Sequence, residues 1–255
     1  MKNERKCDIL KETVIFMEKN MAEFLRGFLI FWGYLIPAAI AMFLTRRFTK
    51  INDELFRKIM HFILLGAYIP LLFGFTVWWH CLAFLLPFSA LLYPLLKLAV
   101  KIPGFSSFVN ERKKGEYASS MLLAFVVMAL SVAIGWGVMN DKFVVLASVY
   151  AWGVGDGFAA LIGKKYGKRK ITWKFADNKK SVEGSLAMLI SSTIAVLIVL
   201  LVRGGIHPLW AIAISIVAAS LSTLVELCSM NGLDTILCPA VSMAVILPLI
   251  ALIGG

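Results

Sequence analysis

The chain has no GxxxxGK[ST] run, so it is not a P-loop ATPase. Its four cysteines, Cys7, Cys81, Cys228 and Cys238, form neither a CxxC pair nor a zinc-ligand spacing, and the last three lie in or beside apolar segments. They are read as packing residues rather than as disulfide or metal partners. Histidine is equally scarce. Of three, His80 and His207 fall near short outer loops without carboxylate companions and are read as ordinary interface residues, which leaves His61 inside an apolar run. Charge is the largest shortage: only 16% of the 255 residues are charged, against 60% hydrophobic and a mean hydropathy of +0.84. A soluble domain around one core is excluded. Gly155-Asp156-Gly157-Phe158-Ala159-Ala160 fits GxGxxA, but no strand precedes it and it lies inside an apolar run, which argues against a dinucleotide site.

What the chain has in abundance is apolar runs near the ~20 residues that a bilayer requires. The first is Gly27 to Leu44; the others fall at approximately 59–79, 80–100, 117–137, 143–163, 183–202, 208–227 and 233–253. The expected fold is an all-α polytopic membrane protein with about eight transmembrane helices. Residues 1–23 carry Cys7, Leu10, Val14, Met17 and Met21 at helical spacing and are expected to form an interfacial helix, with residues 24–255 as the membrane domain. Ala39-Ile40-Ala41 resembles a signal cleavage site, but the run continues past it without a polar exit. Trp78-Trp79-His80 leaves almost no loop between the second and third spans, so a tight hairpin is expected there, with both tryptophans at an interface.

In a soluble protein the formal net charge of +11 would suggest a nucleic-acid partner. Here eighteen of the 26 Lys and Arg gather in three loops, around 45–58, 97–116 and 164–182, while the intervening loops hold only Lys142 and Arg203. The positive-inside rule accounts for this bias, places the three loops in the cytoplasm and leaves no case for nucleic acid. By alternation, Arg57, Lys58, His61, Glu116, Asp156, Glu183, Glu226 and Asp234 then all fall near one face. A carboxylate within a membrane helix costs roughly 2.5 to 3.5 kcal/mol on insertion scales, so Asp156 is expected to have a partner. Gly155, Ala159 and Gly163 recur every four residues and mark a face for close helix approach. The loop from Lys164 to Val182 has eight basic residues against Asp177, and Ser181 is placed to cap the next helix; together these make an anion site.

Gly155-Asp156 through Gly163-Lys164-Lys165-Tyr166-Gly167, followed by Lys180-Ser181-Val182-Glu183-Gly184-Ser185, resembles the paired GDxxAxxxGxxxG and KSxEGS motifs of the CTP-dependent polyprenol kinase family. That family includes dolichol kinase, phytol kinase and the CTP-dependent diacylglycerol kinase, and is related to phosphatidate cytidylyltransferase. Arg57-Lys58-Ile59-Met60-His61 is similar to the family's RKxxH element, and Glu226 with Asn231 to Pro239 resembles its final E…DNxxxP segment, although Thr235 stands where these kinases commonly have Asn.

The resemblance implies Mg²⁺-dependent phosphoryl transfer from CTP to the hydroxyl of a membrane isoprenoid alcohol. It implies metal roles for Asp156 and Asp234, catalytic roles for Asp156, His61 and Glu226, and nucleotide or phosphate contacts from Arg57, Lys58, Lys164, Lys165, Lys180, Ser181, Glu183 and Gly184. Two other readings stay open: a phosphatidate cytidylyltransferase making a CDP-lipid, and a small ion-coupled transporter lined by Asp156, Glu226 and Asp234.

Overall fold

The computed structural model describes residues 2–99, 116–172, 180–229 and 233–253. Among these the chain is predominantly helical with no strand, and eight helical segments are long and apolar enough to cross a membrane. The protein is an integral, multi-pass, all-α membrane protein.

The helices are α1 (Lys2–Phe48), α2 (Asp53–Gly66), α3 (Tyr68–Gly74), α4 (Trp78–Ala99), α5 (Glu116–Ser131) continued by a π-helical turn (Val132–Val138), α6 (Lys142–Tyr166), α7 (Val182–Arg203), α8 (Pro208–Cys228) and α9 (Asp234–Ile253). The N-terminal segment and the first span are one unbroken helix of 47 residues, about 70 Å long. A hydrocarbon core of about 30 Å covers less than half of it.

The second span begins at Asp53, earlier than its apolar run. Asn52 caps the helix by accepting the Glu54 N–H at 3.0 Å, and Asp53 and Glu54 suit the positive end of the helix dipole. The cap thereby draws Arg57 and Lys58 into the helix. The same span is interrupted at Ala67 because Pro70 has no N–H to continue the ladder. Hydroxyls from two other helices donate to carbonyls beside the interruption, Tyr34 to Ile63 at 3.1 Å and Tyr150 to Leu65 at 3.4 Å. Polar backbone at membrane depth is satisfied within the protein, as lipid surroundings demand.

α6 is the central helix: it packs against α2, α3, the π-helical turn, α7, α8 and α9. Its glycines set these approaches. A Cβ on Gly155 would meet Ser192 Oγ at 2.2 Å on α7, and one on Gly157 would meet the Phe62 ring at 2.3 Å on α2. Ala159 belongs to the α7 face, where its carbonyl lies 3.0 Å from the position of a Cβ on Gly184. The small-residue face expected from the sequence is therefore the α6–α7 interface. Phe24, Phe28, Phe31, Phe75, Phe84, Phe88 and Phe125 fill the space between α1, α4 and α5 with edge-on and stacked rings.

The end of the bundle opposite Asp156 is pinned by an ion pair and by the contacts of one lysine. Arg203 meets Asp141 at 2.7 Å, and the Lys142 ammonium donates to the Phe75 carbonyl at 3.1 Å while lying 4.0 Å from the Trp136 ring centre. His207 caps α8 as an exposed loop residue. His80 differs from its expected interface role: it is 1% exposed, packed against Trp79 and Phe24, with Glu23 close enough to act on it electrostatically. α1 supplies Phe24 and Glu23, long-range neighbours that the local sequence does not reveal. Three residues separate α3 from α4, so the hairpin is tight, and Trp78 and Trp79 remain partly exposed. Cys81, Cys228 and Cys238 are free thiols, the first and last buried in packing.

Candidate active site

The site is built where α2 crosses the last third of α6. Lys58 and His61 are three residues apart and share one face of α2. Lys58, 8% exposed, places its ammonium 2.7 Å from Asp156 Oδ2 and 3.4 Å from the Asp156 carbonyl. This is the partner that an intramembrane carboxylate requires. His61 Nε2 lies 2.9 Å from the Gly153 carbonyl, to which it donates as an N–H, and 3.9 Å from Asp156 Oδ2.

Trp152 ties this pair to α9. Its ring meets His61 edge-on at 5.5 Å, and its indole N–H donates to Asp234 Oδ2 at 3.4 Å. The role of Trp152 went unread in the sequence, although its position one turn before Asp156 puts it on the same helix face.

A second ion pair closes the other side. The Lys180 ammonium is 3.0 Å from Glu226 Oε1 and also donates to the carbonyls of Glu226 and Ser229, the latter at 3.2 Å. Lys180 therefore serves the C-terminal end of α8, where carbonyls lack helical partners and the dipole is negative. Glu226 is within electrostatic reach of both Asp156 and Asp234, and His61 is within reach of Asp234. Lys58, His61, Asp156, Lys180, Glu226 and Asp234 thus form one connected group drawn from α2, α6, α8, α9 and the approach to α7.

The KSVEGS element makes a set of local contacts at the start of α7. Buried Ser181 caps α7 by accepting the Gly184 N–H at 3.2 Å, while Ser185 donates to the Ser181 carbonyl at 3.0 Å. Val182 donates to the Arg169 carbonyl at 3.0 Å, and the Glu183 carboxylate accepts the Arg169 N–H at 3.2 Å. Ile171 donates to the Lys180 carbonyl at 3.0 Å, beside an antiparallel bridge between Lys170 and Ser181. Ser181, Glu183 and Gly184 therefore fasten the stem of the basic loop to α7, and the Gly184 amide is already engaged by its cap. The Ser181 cap is the one expected from the sequence; the contacts of Val182 and Glu183 with Arg169 join residues more than a dozen positions apart and carry no local signal.

The remaining cations divide. Arg57 and Lys164 both reach Glu54, at 2.5 and 3.4 Å, and Arg57 is also within electrostatic reach of Asp156. Lys165 instead lies over the Tyr166 ring at 5.1 Å. The expectations for Lys101, Arg112, Lys113, Lys114, Lys174, Asp177, Lys179, Asn231 and Gly232, and for the side chains of Glu116 and Cys7, concern positions outside the described residues.

Among the described residues no three His, Cys, Asp or Glu side chains converge on one point. Mg²⁺ commonly binds through one or two carboxylates together with waters and substrate phosphates, and the oxygen donors of Asp156 and Asp234 are of the type it takes. Comparison with protein-family models, with curated proteins and with solved structures found no match.

Proposed function

We propose that this protein is a CTP-dependent lipid kinase that phosphorylates the hydroxyl of a membrane isoprenoid alcohol of the dolichol, polyprenol or phytol type. What carries the reading is the group formed by the Lys58–Asp156 and Lys180–Glu226 ion pairs with Asp234, at the end of the bundle that also bears the basic loop. Polar groups from five elements meeting at one depth in an apolar protein suit a polyphosphate bound beside a lipid. The resemblance of the same residues to the polyprenol kinase motifs supplies CTP and the alcohol. The charge bias of the loops puts this end in the cytoplasm.

Phosphoryl transfer depends chiefly on alignment of donor and acceptor and on neutralising charge. Asp156 and Asp234 would hold Mg²⁺ entering with the nucleotide, with Glu226 nearby; the ion, when bound, adds charge neutralisation at the phosphates. Arg57 and Lys164 face the solvent end and contact phosphate. Lys58 holds the Asp156 carboxylate in place, and Lys180 does the same for Glu226. Trp152 fixes Asp234 and the edge of His61, keeping the α2 and α9 sides in register. The acceptor hydroxyl sits at the membrane boundary, with its chain between helices.

Magnesium-dependent CTP binding to the purified protein tests the nucleotide reading. Saturable binding that is lost on chelation agrees with it. Transport of an ion without nucleotide binding would establish the transporter reading instead.

A further inference from the structure

One carboxylate beside the site has no part in the motif pattern. Glu54 lies in the first turn of α2, four residues before Lys58 and therefore on the same side of the helix. Its side chain is 13% exposed, and its own N–H is held by the Asn52 cap at 3.0 Å. Its two oxygens are divided between helices. Oε1 meets the Arg57 guanidinium at 2.5 Å, and Oε2 meets the Lys164 ammonium from the end of α6 at 3.4 Å.

We propose that Glu54 is a positioning residue that gathers Arg57 and Lys164 into a two-cation clamp for the phosphates of a nucleoside triphosphate. The proposal rests on the nucleotide reading given above. The exposures give its direction. Glu54 is the enclosed member of the trio, whereas the Arg57 and Lys164 side chains are 46% and 63% exposed. A fixed carboxylate beneath two solvent-facing cations tethers side chains that would otherwise lose much rotamer freedom on binding. The cations keep further N–H donors for an incoming anion.

The arrangement also mirrors the deeper pair, one turn further along α2 and about two turns back along α6. There α2 supplies the cation, Lys58, and α6 the anion, Asp156; at the rim α2 supplies Glu54 and α6 supplies Lys164. Two oppositely directed ion pairs thus join the same two helices.

The test is binding of magnesium-free inorganic triphosphate to the full-length protein in nanodiscs, by calorimetry, alongside CTP turnover. Glu54→Gln is expected to weaken triphosphate binding roughly five- to twentyfold, and Glu54→Asp to recover part of that loss. In turnover, KM for the nucleotide should rise by more than kcat falls. Combining Glu54→Gln with Lys164→Met should cost less than the two separate losses added together, since both act through one contact. Unchanged or tighter triphosphate binding by folded Glu54→Gln protein, with wild-type CTP turnover intact, would overturn the clamp and leave the kinase reading standing. Wild-type protein that neither binds triphosphate nor turns over CTP would remove both.

Discussion

Asp156 and Lys58 are the residues whose energetics are least forgiving. A carboxylate and an ammonium 2.7 Å apart at membrane depth compensate one another, and removal of either leaves a partly buried charge unpaired, a change whose upper bound is about 3 to 5 kcal/mol, the cost for a fully buried pair. Lys58→Met should therefore lower the thermal midpoint of the detergent-purified protein markedly, while Lys58→Met with Asp156→Asn should recover much of the loss. Additive destabilisation would show that the two side chains do not act as a pair. For function, Asp156→Asn should abolish nearly all turnover while the protein still inserts and purifies, because the amide keeps the shape and loses the charge. Near-normal turnover at saturating Mg²⁺ would remove Asp156 from the chemistry. That Asp156 needs a partner is legible in the sequence, since an isolated carboxylate in an apolar run has few alternatives. Which residue answers it is not legible: Lys58 stands 98 positions away beside Arg57, and only the fold shows that α2 turns the first inward and the second outward. Glu54 and Trp152 could not be singled out because nothing local distinguishes them from a capping acid and an interface aromatic.

At the level of the helices, the spans were readable because apolar length is a physical requirement of the bilayer, and the structure places them close to the expected ranges. Their ends were less uniform: Ser181 was readable as the cap of α7, whereas Asn52 begins α2 among charged residues that hydropathy assigns to a loop. Ser181→Ala should cost about 1 kcal/mol of stability and speed proteolysis in the basic loop, whose stem is fastened through the same turn. An unchanged cleavage rate would mean that Ser181 does not anchor the loop. The α6–α7 contact gives a second check. Gly155→Val must displace Ser192 and Met188, which a new Cβ would approach to 2.2 and 2.7 Å, and should destabilise the protein by about 1 to 3 kcal/mol. Equal thermal midpoints for Gly155→Val and wild type would contradict this close approach.

For the whole molecule, the central proposal is that one end of an eight-span bundle faces the cytoplasm and transfers phosphate to a lipid. Orientation can be tested with single cysteines in a cysteine-free background. Lys168→Cys should be protected from an impermeant thiol reagent in intact cells, whereas Asn140→Cys at the opposite end should react. The reverse pattern would put the site outside. The decisive measurement is the fate of the label when γ-labelled CTP is incubated with the purified protein, Mg²⁺ and a polyprenol or similar isoprenoid alcohol. A lipid kinase yields labelled lipid monophosphate and unlabelled CDP. Labelled pyrophosphate and a CDP-lipid formed from phosphatidate, with no label transferred to any alcohol, would contradict the account and make the protein a cytidylyltransferase.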